Sequence, residues 1–233
     1  RRNEAADHNL SDSSRGVMKG LNINSNAVEG DQDPLGVTSF DSDGFTVSDN
    51  DGGGAGVNGT NDTYVAWCWK AAGGTTSSNT DGSTTSTVQA NKAAGFSIVT
   101  YTGTGSNASV GHGLGAPPKF IMIKKRSGAS DWAAFTAIDN TKYLEPNGTP
   151  PFRTANVWQN TDPTSTVFTL TTGGDTNGGR ATFVAYCFAD VEGYQKFGSY
   201  DGNGSTNGPI VNVGFEPAFV MVKNLDSTEQ WLI

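Results

Sequence analysis

The residues that could carry chemistry are few, and their spacing argues against most of it. The chain holds two histidines, His8 and His112, and two cysteines, Cys68 and Cys187, in 233 residues. A zinc site needs about three or four clustered His, Cys or carboxylate ligands, and neither histidine has a second His or Cys at ligand spacing. A nucleophilic triad needs a histidine beside an activated hydroxyl or thiol and an orienting carboxylate. His112, in the GHGLG at 111–115, reads instead as a turn or packing residue. The glycine pairs Gly103/Gly105 and Gly202/Gly204 lack the spacing, the following helix and the lysine of a phosphate loop and are expected to form hairpin turns. Asp41, Asp43, Asp49 and Asp51 flank Phe45 to Val47, with Glu29, Asp31 and Asp33 upstream. Ca2+ takes about six to eight oxygens, often carboxylates on a turn, so these four are the candidate Ca2+ ligands. Solvated turn residues are the plainer reading, because no glutamate closes an EF-hand loop. A glycosidase pair would need two carboxylates facing across a cleft, and the second copy of the unit has no equivalent cluster. Trp158 stands beside the proline-containing loop at 146–151 and is the candidate glycan contact. Catalytic residues and an organic cofactor are not expected, and the chain reads as non-enzymatic.

Much of the remaining pattern is repetition. VTYTGTGS at 99–106 recurs as GSYDGNGS at 198–205, a spacing of 99 residues. At that spacing FIMIK at 120–124 falls on FVMVK at 219–223, and Trp132 on Trp231. YVAWCW at 64–69 recurs as FVAYCF at 183–188, a spacing of 119, with a weaker echo of 45–47 at 168–170. Fixed-period similarity means one supersecondary unit used more than once. Trp132 and Trp231 are therefore expected in cores. Cys68 and Cys187 are expected to be buried, unpaired small hydrophobes on equivalent central strands.

Composition fits that unit. Glycine supplies 31 residues and only 35% are hydrophobic, a balance suited to short strands joined by tight turns. Strands are predicted near 45–47, 64–70, 96–102, 120–125, 132–137, 166–171, 183–189, 198–200, 210–213 and 219–223. The segments at 63–70 and 182–189 are bulky on both pleat faces, which predicts central strands buried on both sides. The polar tract at 73–86 is expected to be a flexible loop or linker, and only 12–21 suggests a short helix, weakened by Gly16 and Gly20. The expected fold is all-β: tandem antiparallel β-sandwich or jelly-roll-like units of about 100 residues. The repeat divides the chain into 1–92, the later part of one unit; 93–192, a complete unit; and 193–233, the first strands of a third. These incomplete ends suggest a window cut from a longer chain, or subunits completing one another by strand addition. The net charge of −8 with no basic stripe argues against nucleic acid. No apolar run approaches a membrane span.

Several spaced motifs together carry a resemblance: YVAWCWK at 64–70, Gly95-Phe96, Tyr101-Thr-Gly103 with Gly105, GHGLG at 111–115, Pro118-Lys-Phe120 with Lys124, and FVAYCF at 183–188. TSFDSDGF at 38–45 and DSSRG at 12–16 extend it. The chain resembles a repeated β domain of tail-fibre-like structural proteins of marine bacteriophages, often found beside concanavalin- or laminin-G-like sandwiches. The resemblance implies an extracellular virion appendage that self-associates into a homo-oligomer or fibre, meets other virion proteins and contacts host-surface polysaccharide. It supplies no catalytic residues. Two alternatives stand beside it. One is a secreted cell-surface filament or adhesin, in which the acceptor sequences at Asn58, Asn61, Asn107, Asn147 and Asn203 would become glycosylation sites. The other is a carbohydrate-binding module.

Overall fold

The computed structural model describes residues 6–32, 34–48 and 56–232. The N-terminal part contributes β1 (Asn9–Leu10), β2 (Lys19–Asn22), β3 (Gly30–Asp31), β4 (Gly36–Phe40) and β5 (Phe45–Ser48). Then come β6 (Ser77–Asn79), β7 (Ser86–Asn91), β8 (Phe96–Thr102), β9 (Ala108–Gly111), β10 (Phe120–Lys125) and β11 (Ala133–Thr136). They are followed by β12 (Lys142–Tyr143), β13 (Arg153–Thr154), β14 (Val167–Leu170), the single helical turn α1 (Gly174–Asn177) and β15 (Thr182–Phe188). The protein is all-β.

Six strands form one antiparallel sheet in the order β11-β10-β15-β8-β7-β6. β15 lies at its centre, paired with β8 from Thr182↔Thr102 to Phe188↔Phe96 and with β10 from Lys125↔Phe183 to Phe120↔Phe188. Its sequence explains the position. Successive side chains on a strand alternate faces, and every residue after Thr182 is apolar or aromatic. Phe183, Ala185 and Cys187 enter one buried cluster, while Val184, Tyr186 and Phe188 enter another on the opposite face. β8 and β10 alternate in step, with Val99, Tyr101, Ile121 and Ile123 in the first cluster and Phe96, Ile98 and Phe120 in the second.

The first face is covered by the two-stranded β9–β14 sheet, through Val110, Phe168 and Leu170, which makes the sandwich. The second, to which β11 adds Ala134, is covered by the N-terminal residues around Leu21, together with Trp132 and Leu144. β6 and β7 join this sheet from before residue 93, so the sheet crosses the division expected there from the repeat.

Several local expectations are corrected. Residues 12–21 are not helical. Asp12 Oδ1 accepts from the backbone N–H groups of Ser14 and Arg15, and the positive φ values of Gly16 and Met18 turn the chain into β2 instead. The polar tract at 73–86 carries an edge strand, β6, and Thr84 bridges to Val110. Hydroxyl side chains suit an edge because water reaches them. The Gly103–Gly105 turn is no hairpin: β8 and β9 belong to different layers, and Asn177 fastens the crossing through Thr104 N–H and the carbonyl of Ser106. Gly103 is required there, since a Cβ would collide with the Gly178 carbonyl oxygen. The DSDG turn at 41–44 does close the β4–β5 hairpin, Asp41 N–H donating to Gly44 O at 2.9 Å.

The largest departure concerns repeat-equivalent segments. Residues 64–70 match β15 in type but join no ladder, and neither do 198–200, 210–213 or most of 219–223. Val65, Trp67, Trp69, Phe219, Val220 and Met221 are exposed.

Candidate functional site

The strongest chemistry in the molecule is a buried polar seam that fastens the N-terminal segment to the six-stranded sheet. Arg15 has a fully buried side chain and pairs with Asp12 through Nε and with Glu29 through Nη1. Its Nη2 donates to the Leu10 carbonyl at 2.9 Å. Tyr186 of β15 donates its hydroxyl to Asp12 Oδ2 at 2.6 Å. Burial pushes the Asp12 carboxyl up, but the Arg15 charge and the hydrogen bonds from Tyr186 and Arg15 outweigh it and leave its pKa below the usual value. Burial likewise lifts the Tyr186 hydroxyl well above its ordinary range. Glu29 also receives Arg126 at the end of β10, at 2.6 Å and 3.2 Å.

Beside this network Lys124 is fully buried on the same face. Its ammonium donates to Ser130 O at 2.6 Å and Asn26 O at 3.2 Å. Burial pulls its pKa down to about 8, against the opposing pull of Asp131 and Asp175. Trp132 donates Nε1–H to Asn22 O at 2.9 Å, and Gln89 on β7 bonds the hydroxyls of Ser13 and Ser14. Arg15 ties the N-terminal segment to itself, while Tyr186, Lys124, Arg126, Trp132 and Gln89 each donate to an acceptor of that segment, which is how buried polar groups specify one docking geometry. Sequence reading missed this seam. The available signals were the short-range Asp12–Arg15 spacing, which resembled a weak helix start, and a lysine recurring inside two otherwise apolar strands.

The residues singled out from sequence are dispersed. Trp158 is not a surface contact: it is 1% exposed, meets Phe135 edge-on at 5.5 Å and donates Nε1–H to Lys142 O at 3.0 Å. Its lack of a repeat partner marked a loop closing the first core, not a binding surface. Asp41 and Asp43 are exposed on the β4–β5 turn, where Asp41 accepts from Thr46 Oγ1 at 3.0 Å. Asp49 and Asp51 lie outside the described residues. Among the described residues no three His, Cys, Asp or Glu side chains gather as a metal cluster. His112 is buried, its Nδ1 accepting from Leu114 N–H and its Nε2 meeting Thr164 O; burial lowers its pKa, partly offset by that carbonyl and by Asp81. Cys187 is buried as expected, and burial pushes its thiol up to about 12. Cys68 is exposed, contrary to the equivalence, because its segment has no neighbouring strands to cover it.

Two surfaces stand out among the described residues. A groove of about 460 Å3 runs along the β6–β7 edge, lined by hydroxyl, amide and charged groups including Ser77, Asn79, Asp81, Lys92 and Thr166. The second is the pair of aromatic arms at 64–70 and 195–223. Trp69 and Phe197 leave the sheet from one place, both against Phe188 at 6.1 Å and 5.9 Å. Farther out, Trp67 and Phe219 meet edge-on at 5.8 Å. The C-terminal arm keeps the register of its repeat equivalent: Val222 bridges Leu232 as Ile123 pairs with Ala133 on β10 and β11.

The family model described as "Domain of unknown function (DUF7483)" matches residues 1–233. The chain belongs to that family. Neither a curated protein nor a solved structure matches it. The match to the DUF7483 model covers the sandwich and both arms. No described helix is long and apolar enough to cross a membrane.

Proposed function

We propose that this chain is a non-enzymatic structural component of a phage virion appendage, a tail-fibre-like protein built from repeated β units. It associates with its own copies and other virion proteins and contacts host-surface polysaccharide. The observation that carries the reading is the repeated hairpin, with Ile123↔Ala133 in the sandwich and Val222↔Leu232 in the arm sharing one register. A unit reused along a chain sets length and avidity. The sheet buried on both faces and the polar seam across one of them give such a unit stiffness. The groove on the β6–β7 edge sets Ser77, Asn79 and Thr166, with the charged Asp81 and Lys92, around an apolar floor that includes Val88 and Ala90, a mixture that suits the hydroxyls and apolar faces of a sugar.

The test is proteomic. Gradient-purified phage particles from the source community should yield peptides covering 94–191 at the copy number of a structural protein. Recovery of those peptides from washed cell surfaces, carrying glycan mass increments and absent from particles, would replace the virion with a cellular filament.

A further inference from the structure

We infer that residues 64–70 are the missing neighbour of the C-terminal arm, lying antiparallel to 219–224 of the same chain. The two parts of the chain that match portions of a repeat unit thereby complete each other. This does not depend on the virion reading.

The register follows from the sandwich. On β10 and β15, Phe120 faces Phe188, Ile121 faces Cys187, Met122 faces Tyr186 and Ile123 faces Ala185. The repeat spacings carry these pairs to Phe219 with Trp69, Val220 with Cys68, Met221 with Trp67 and Val222 with Ala66. Three observations support this pairing within one chain. The arm already holds the β10–β11 register on its other side, through Val222 and Leu232. Trp69 and Phe197 start from the same ring, Phe188, so 64–70 arrives where the C-terminal arm departs. The edge-on contact of Trp67 with Phe219 at 5.8 Å is the diagonal neighbour contact of this register, one that aromatic side chains reach across an antiparallel pair. An aromatic strand left unpaired beside a bare edge is an aggregation template, and pairing within the chain closes both edges at once.

The natural Cys68 makes the test direct. It is exposed, while Cys187 is buried with a thiol pushed up to about 12, so Cys68 alone responds to mild oxidant. Val220 is 56% exposed, and Val220→Cys does not disturb a core. Residues directly opposite on antiparallel strands bring their Cβ atoms within disulfide reach after small adjustment. Oxidised glutathione converts the two thiols to one disulfide, itself reduced to two glutathione thiols. In the full chain, V220C should form an intramolecular disulfide between Cys68 and the introduced thiol, seen as a monomer of faster non-reducing mobility and a disulfide-linked peptide pair. M221C, whose side chain points to the other face, should not.

A disulfide between two chains in V220C would assign the partner strand to a second copy. Cross-linking of M221C instead of V220C would refute the register. Absence of cross-linking in both variants, with amides 64–70 exchanging as fast as an unstructured peptide, would refute the pairing itself.

Discussion

Replacing Arg15 by methionine separates a structural ion pair from an incidental one. The guanidinium is fully buried and contacts Asp12, Glu29 and the carbonyls of Leu10 and Lys19. Methionine fills much of the same volume but leaves Asp12 buried with only Tyr186 and backbone N–H groups as partners. Breaking a buried pair by removing one member costs about 3–5 kcal/mol. With a urea slope of about 2–3 kcal/mol/M, the unfolding midpoint should fall by about 1–2.5 M. The pH dependence supplies an independent sign. In the native chain the Asp12 pKa is lowered, so its contribution is full above the unfolded value and is lost as pH falls through the folded one. In the variant, burial acts without Arg15 and raises the pKa, so acidification relieves the strain. The stability gap between Arg15→Met and the native chain should therefore narrow from pH 7 to pH 4. The double variant Asp12→Asn/Arg15→Met should recover about 2 kcal/mol through coupling. A cost under about 1 kcal/mol, a gap independent of pH, or strict additivity of the two substitutions would refute the argument that the seam is an energetic unit.

Three further outcomes follow from the same structure. Trp158→Ala should cost about 3–5 kcal/mol in chemical denaturation, whereas a glycan-contact tryptophan would lose polysaccharide retention with stability unchanged. Lys124 has a folded pKa of about 8 against 10.5, so the unfolded chain holds the extra proton between those values and stability from this group rises with pH. Lys124→Met should therefore lose ground relative to the native chain as pH rises, by up to about 3 kcal/mol across that window in paired denaturant titrations. Taking the difference between the two proteins cancels the opposite alkaline effects of Tyr101, Tyr186 and Cys187. Ellman's reagent should titrate one thiol, Cys68, in the folded protein and a second only in denaturant; two fast thiols would place Cys187 at the surface.

The repeat drew the strands of the central copy, whereas its equivalents at 64–70, 198–200, 210–213 and most of 219–223 join no ladder. Residues 183–188 read as a strand bulky on both faces, and β15 is buried on both faces. Residues 64–69 read identically, yet 65–69 are exposed, because a strand is central only when neighbours flank it, and those neighbours are distant in sequence. Cys68 and Cys187 differ for the same reason. Trp158 shows the converse: a tryptophan beside prolines looks superficial until Phe135 and the Lys142 carbonyl are brought to it. The seam was the least legible part. Asp12, Arg15 and Tyr186 are ordinary residues until a separation of 174 positions in sequence becomes a hydrogen bond of 2.6 Å.

The all-β class and the repeated sequence motifs were written in the chain, because alternation, turn residues and periodicity are local properties. Which repeat-equivalent strands are covered, which tryptophan is core and which charges meet out of water came from the folded arrangement, because burial and ion pairing depend on what lies across space.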